Sequence, residues 1–431
     1  MNQLVYAGVF VGAFALFCLL VLGRHRKVKT GSDFSVAGRS LTATQVSWVI
    51  IGTLVGGVST IGTVQTAYEY GISAWVFTLG SGISCFILGC FFAAVLRREE
   101  VTTVSEFLGR YFGKKFQYYS SLFNSLGMFI HIIAQYLAAM AILNSVFHFS
   151  LPVSVVVTML LMGIFVVSGG ISGAGMVGKI KFFMLYGIMT LSAGIALYRG
   201  GGVGSILSAL PKEIDFLNFF SCGVGPTLVD VASMITGVLS TQIYLQAVFS
   251  AKNIRQARNG AFLSALVIPP IGVLGIIIGL YLRGHHPELA ANTAQALPYF
   301  FKIALPPAAA AFCSAVLLLA VLGTGAGLIL GVTTNLYMDG IRNLFVNGTG
   351  DNLLAVRLCT LLVLLLSGGL VFAGFDTAIL QWSYLSMGFR GASVFAGLCI
   401  VVFSGRREFS KGITACLYLL PILCLAWQIW E

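Results

Sequence analysis

The sequence predicts an all-α polytopic membrane protein with about twelve transmembrane helices, and three observations predict it. Of the 431 residues, 58% are hydrophobic and only 9% charged, at a mean hydropathy of +0.95. Too few polar side chains exist to cover a water-facing surface. The apolar residues fall into runs that match the roughly 20 residues a helix needs to cross a bilayer. Between the runs, Lys and Arg are abundant in every second connection, as the positive-inside rule requires. The net charge of +11 is thus spread over loops and forms no single basic patch of the kind that binds nucleic acid. The nine cysteines lie almost all within apolar runs without metal-like spacing, and read as small lipid- or core-facing residues.

The first run, 3–23, has no basic region before it and no small-residue cleavage pattern after it, so it reads as a retained helix. The cluster Arg24, Arg26, Lys27 and Lys29 follows, placing the first loop in the cytoplasm and the N-terminus outside. Further spans are predicted at 43–67, 74–96, 118–148, 151–169, 175–198, 223–249, 260–283, 306–338, 354–374, 379–403 and 411–430. Alternating sides from that start puts 18 of the 25 basic residues inside, against Arg199, Lys212, Arg283 and Lys302 outside. That asymmetry supports both the count and the orientation. The outer segments 199–222 and 284–305 carry Pro211-Lys212-Glu213 and His285-His286-Pro287-Glu288, which mark solvated loops. Thr103 to Phe107 reads as a short capped helix on the cytoplasmic side. The chain 1–431 is therefore one membrane domain with no room for a separate catalytic one.

The second span contains Gly52-Thr53-Leu54-Val55-Gly56-Gly57-Val58-Ser59-Thr60-Ile61-Gly62. Glycines and β-branched residues weaken a helix, and a helix that opens at mid-membrane exposes carbonyls able to hold a cation. Gly52 and Gly56 equally suit a small-xxx-small packing face. With the first and last spans set aside, ten remain, which divide as five plus five of opposite orientation: 43–198 and 223–403. The seventh span, the counterpart of the second, also carries breakers, Gly225, Pro226 and Gly237. Matched broken helices in two inverted halves point to a transporter binding site, and favour the opened helix.

Five segments in register then resemble the sodium:solute symporter family. They are Asp33 to Leu41 (DFSVAGRSL), Tyr68-Glu69-Tyr70-Gly71, Glu106 to Gly113 (EFLGRYFG), Gln246 to Arg258 (QAVFSAKNIRQAR), and Ala320 to Arg342, which ends on Asp339-Gly340-Ile341-Arg342. The likeness spans about 33–403 and implies a LeuT-type 5+5 inverted-repeat core with one extra helix at each end. It implies a sodium ion held by the carbonyls of Val55, Val58 and Ala320 and by hydroxyls at positions 323 and 324. Thr324 keeps its hydroxyl, whereas Gly323 stands at a position that is usually Ser, so one side-chain ligand is missing. Hard neutral oxygens suit a small hard cation. A second departure lies on the fifth core helix, where the family's usual Thr-Asp pair is replaced by Gly178-Lys179-Ile180-Lys181. Lys179 standing in for the ion is the coupling alternative, because an ammonium in an apolar cavity can cycle a proton. Lys179 and Lys181 snorkelling to headgroups is the plain alternative. Gln246-Ala247 stands where the family commonly has Gln-Arg.

Polar side chains at mid-membrane are functional suspects because they are costly to bury there. The substrate candidates are Thr53, Ser59, Thr60 and Gln65 on the first core helix and His131 and Gln135, which share a face at i and i+4, on the third. Thr241 and Tyr244 on the sixth and Gln381 and Tyr384 on the tenth complete the set, with Ser240, Asp230, Trp382 and Ser386 beside them. Asp230, Glu69 and Asp376 are the acids available to a cationic solute, and Arg390 is the one arginine that could reach a cavity. This sparse inventory suits a small neutral or zwitterionic solute. The expected activity is cation-coupled symport of an amino acid, sugar, carboxylate or similar solute by alternating access, with sodium as coupling ion and no cofactor. Sodium-independent or proton-coupled transport through Lys179 is the alternative. A membrane sensor or interaction subunit on the same fold is the reading of another class. It is weakened because this sequence carries no cytoplasmic signalling extension past its last span. An enzyme is not expected, since neither His-Glu-x-x-His nor Gly-x-Ser-x-Gly occurs. The expected partners are the solute and the lipid bilayer, with no nucleic acid and no obligatory protein, in a bacterial-type plasma membrane.

Overall fold

The structure, a computed structural model, describes residues 3–22, 35–341, 353–372, 379–406 and 408–430. The basic cluster Arg24 to Lys29, Asp33, Phe34, Arg342 and Asp376 lie outside these residues. Among the described residues every regular element is helical, and the order is α1 (Gln3–Leu22), α2 (Ala43–Leu54), α3 (Thr63–Tyr70), α4 (Val76–Ile87), α5 (Ala93–Arg98), α6 (Val104–Phe112), α7 (Lys114–Phe147), α8 (Leu151–Arg199), α9 (Val203–Ser208), α10 (Val224–Val238), α11 (Gln242–Phe249), α12 (Ile254–His285), α13 (Ala296–Ala304), α14 (Pro307–Asn335), α15 (Leu353–Val371), α16 (Ile379–Ser404) and α17 (Lys411–Trp430). Eight of the described helical stretches are long and apolar enough to cross a membrane, and four shorter apolar helices lie at the predicted first, second, fifth and twelfth spans. The short capped helix is α6, where the Thr103 hydroxyl accepts the Glu106 N–H at 2.9 Å. The two solvated connections contain α9 and α13.

α14 is the axis of the bundle. Every residue from Cys313 to Asn335 is buried, as befits a helix that is apolar on all sides. α2, α7 and α8 pack around it. α8 differs from the expected pair of spans, because its helical backbone runs unbroken from Leu151 to Arg199. It is nevertheless not one straight rod. Met162 packs against Gly325 and Lys181 reaches Thr324, two neighbouring residues of α14. In a straight helix Met162 and Lys181 would be separated by about 28 Å. The chain therefore turns back on α14 between them, in a stretch containing Gly169, Gly170 and Gly173, where the backbone is freest.

The two broken helices are tied together at one end. The Leu41 N–H donates to the Ser250 carbonyl at 3.0 Å and the Lys252 N–H to the Leu41 carbonyl at 2.8 Å. The start of α2 is thereby fixed to the end of α11. The breaks in the two helices both lie against α7.

Candidate substrate and cation site

The first break falls at Val55–Gly57. α2 ends at Leu54, Val55 turns to φ −87° and ψ 100°, and the chain resumes as a π turn over Val58–Gly62 leading into α3. In an unbroken helix the Gly52 carbonyl would accept the Gly56 N–H. Here the Gly56 N–H donates to the Ser59 hydroxyl at 2.8 Å, and the Thr60 hydroxyl donates to the Gly56 carbonyl at 2.7 Å. The Gly57 N–H goes to the Gln135 side-chain oxygen at 3.3 Å. Ser59 and Thr60, expected as substrate ligands, therefore stabilise the break from within.

The freed Gly52 carbonyl is taken by a lysine. Lys181 Nζ donates to it at 2.7 Å and to the Thr324 hydroxyl at 2.5 Å. Thr324 Oγ1 lies 3.4 Å from the Val55 carbonyl. Of the residues expected to hold a cation, Val55 and Thr324 meet here, joined by the unexpected Gly52 carbonyl, and the Lys181 nitrogen lies among them. The other expected cation ligands make no hydrogen bond to Lys181 among the described residues. The Val58 carbonyl accepts the Thr63 N–H inside the helix instead. Ala320 is buried one turn away on α14. Gly323, at the position expected to give a hydroxyl, offers no side-chain oxygen, and the space a side chain would need is taken by Val177 of α8. The lysine in the cage is not Lys179, which is exposed and stands 4.9 Å over the Trp48 ring. The reason is rotation about α8: Lys181 shares a face with Gly178, which crosses Gly52 backbone to backbone, whereas Lys179 is turned about 100° away from Gly178. The snorkelling reading, applied to both lysines in the sequence, does not fit Lys181, which is buried.

The second break falls at Leu239–Thr241, between α10 and α11. The Thr241 hydroxyl donates to the Gly237 carbonyl at 2.6 Å, and the Ser240 carbonyl accepts from the Asn124 side chain at 2.6 Å. Arg390, fully buried on α16, donates to the Thr241 hydroxyl at 2.7 Å, and its other terminal nitrogen lies 3.3 Å from His131 Nδ1. The buried Tyr244 hydroxyl lies beside the same guanidinium. Among the described residues no carboxylate pairs with Arg390. One face of α7 therefore bridges both breaks, Gln135 at the first and His131, through Arg390, at the second. Gln135 Nε2 has no hydrogen-bond partner, which leaves a donor available to a bound solute.

The remaining candidates fall outside this cluster. Thr53 spends its hydroxyl on the Val49 carbonyl and packs against Gly327. Gln65 donates to Thr293 at 3.1 Å, and Thr293 donates to Glu69 at 2.6 Å, a network near the His286 end of the bundle. Gln381 is exposed and Tyr384 half-buried against Phe77. Both lie six or more residues before Arg390 on α16. Sequence reasoning passed over Lys181, Asn124 and the Gly52 carbonyl. The i, i+3 spacing of Gly178 and Lys181 is the signal that would have singled out the lysine, because a glycine at a helix crossing identifies the buried face.

A model of the sodium:solute symporter family matches residues 34–406. The chain is 24% identical over 381 residues to a sodium/glucose cotransporter of Vibrio parahaemolyticus, covering 79% of this chain and 70% of that protein. It is 23% identical over 319 residues to the sodium-coupled monocarboxylate transporter 2 of Mus musculus, covering 69% of this chain and 51% of the relative, so it spans about half the length of the mouse protein. Among solved structures, a Na+-coupled sialic acid symporter in a substrate-bound outward-open state has the same fold. The TM-score is 0.77 at 15% identity, over 97% of this chain and 96% of that one.

Proposed function

The chain belongs to the sodium:solute symporter family, and from that premise we propose that it is a secondary active transporter carrying a small organic anion by alternating access, in symport with a cation. Sodium is the cation that names the family. The observation that carries the solute class is Arg390. A buried guanidinium without an acidic partner is costly, and neutral acceptors such as Thr241 and His131 offset only part of that cost. A solute carboxylate brought between the two breaks would supply the missing charge in a bidentate geometry that arginine favours. The free Gln135 amide would donate to the solute's remaining oxygens. The helix breaks supply the hinge that lets each half-helix move with one side of the bundle.

The excess of basic residues in alternate loops supports an N-terminus outside and the Asp339 end of the bundle in the cytoplasm. A reporter active only outside the membrane, fused at Met1, tests that orientation. For the activity, proteoliposomes are loaded with the purified chain and offered radiolabelled monocarboxylates, amino acids and sugars under an inward cation gradient. Carboxylate uptake is expected. Arg390→Gln should reduce carboxylate uptake at least about 100-fold, the cost of an unpaired charge contact. Arg390→Lys should retain part of it with a raised KM. Uptake of an uncharged sugar that is indifferent to Arg390→Gln would exclude the anionic solute.

A further inference from the structure

We propose that the cation in the cage at the first helix break is the chain's own Lys181 ammonium, so that this cage does not load free sodium. Three features of the sequence act together to put it there. Gly178 and Gly52 meet so closely that a Cβ on Gly52 would lie 2.6 Å from the Gly178 Cα, which brings α8 within reach of α2. The break then frees the Gly52 carbonyl, because its helical partner, the Gly56 N–H, is held by Ser59. Lastly, Gly323 leaves room for the lysine. A Cβ there would lie 2.7 Å from Val177 Cγ1 and 4.0 Å from Lys181 Nζ, so a serine, the side chain that would complete an oxygen cage, would crowd the helix that carries the lysine. The missing ligand at Gly323 and the added lysine are one change seen from two sides: the hydroxyl is given up where the ammonium arrives.

The Lys181 nitrogen is tethered where it meets only neutral oxygens. The carbonyls at the end of α2 carry the negative end of its dipole, and among the described residues no carboxylate pairs with Lys181. One positive charge against neutral oxygens is the balance a sodium ion would give. A second cation brought next to it would face direct repulsion at low dielectric. The cage therefore has room and ligands for one occupant only, and that occupant, the Lys181 nitrogen, is covalently attached. Any sodium that drives transport acts at another place in the molecule.

The inference rests on the transporter reading only for its significance, and its test is a binding measurement that needs no solute. Full-length protein in detergent is assayed for binding of radioactive sodium and for its unfolding temperature, with choline as the replacement cation. The wild type is expected to bind no sodium that Thr324→Ala removes. Lys181→Ala opens the cage and should gain a sodium-specific rise in unfolding temperature of about 3–5 °C at saturation, which Thr324→Ala then cancels. Lys181→Met keeps the length of the side chain without the charge, and should fold without responding to sodium. Sodium-specific stabilisation of the wild type that is lost in Thr324→Ala would overturn the proposal, and this arm requires no lysine variant to fold. A folded Lys181→Ala as indifferent to sodium as the wild type would overturn it too. Failure of the transporter reading is distinguishable, since it appears as absent uptake in every salt while these binding results stand.

Discussion

At the residue scale, the glycines of the first broken helix perform different tasks that look alike in sequence. Gly52 faces the Gly178 backbone, and Gly56 faces Thr324, whose Oγ1 occupies the place a Cβ would need. The small-xxx-small reading and the opened-helix reading are therefore both correct, for successive parts of the same run. Gly52→Ala has no relief available, because the atom it meets is backbone. It is expected to destabilise the protein by about 1–3 kcal/mol and to lower its unfolding temperature. Gly194→Ala on α8, where a Cβ meets nothing within 4 Å, should leave it unchanged or slightly raise it. Equal effects of the two in a thermal unfolding series would show that the Gly52–Gly178 crossing does not hold the helices. That Gly323 brings no side-chain oxygen was legible in the sequence, because it is a matter of residue type. What the sequence could not reveal was which of two neighbouring lysines faces inward to make it good. Lys179 and Lys181 differ by a rotation about the helix, and a stretch that is apolar on most sides leaves that rotation undetermined.

At the scale of elements, the first break was legible because glycines and β-branched residues mark it, whereas Gly225 and Pro226, expected to break the seventh span, start α10 and only Gly237 lies near the second break; the side chains that satisfy the breaks were not legible. Ser59 and Thr60 were expected to face a solute, yet they serve the backbone groups that the break exposes, which is what buried N–H and C=O groups require. Gln65 is buried but bonds toward the His286 end, and Gln381 is exposed, so neither lies at a break. His131 and Gln135 were placed correctly as a pair because their i, i+4 spacing fixes them on one face whatever the rotation. The second break depends on Asn124, whose amide nitrogen holds the Ser240 carbonyl at 2.6 Å and whose oxygen lies 3.3 Å from the Asn335 amide. Asn124→Leu removes the donor to the buried Ser240 carbonyl, while the Asn335 amide keeps Ser125 at 3.1 Å. A loss of about 1–3 kcal/mol is expected, with uptake reduced more than stability because the hinge itself is affected. Retention of full uptake by the purified variant in proteoliposomes would mean that the α10–α11 break is held by other contacts.

At the scale of the whole molecule, composition, span length and the loop charges were enough to give a membrane helix bundle, since a bilayer permits few alternatives, whereas the LeuT-type core came from the resemblance of the five segments. They could not tell which conformation of an alternating-access cycle the chain adopts. The side-chain bonds at the two ends of the bundle bear on that. At the His286 end, Gln65, Thr293 and Glu69 form one chain of bonds, and Tyr68 reaches the His286 and Pro287 carbonyls at 3.1 Å each. At the Asp339 end, Asp339 accepts from Thr103 at 2.9 Å and Gln117 at 2.7 Å, the Gln242 oxygen accepts the Val104 N–H at 2.9 Å, and Gln246 reaches the Ser35 carbonyl at 2.6 Å. Asp339 is buried at the end of α14, and two of its donors come from the start of α6 and from α7. Its carboxylate therefore joins the axis of the bundle to the segments that must part if this end is to open. Asp339→Ala removes that junction without touching either helix break. An opening cost lowered by about 1–3 kcal/mol corresponds to exchange roughly 5–150-fold faster. Hydrogen exchange measured by mass spectrometry should accelerate in the peptides covering α6 and α11 while those covering α3 and α13 keep the wild-type rate. Acceleration spread evenly over both ends would mean general loosening of the bundle, and unchanged exchange at α6 would mean that this end is held shut without the aspartate.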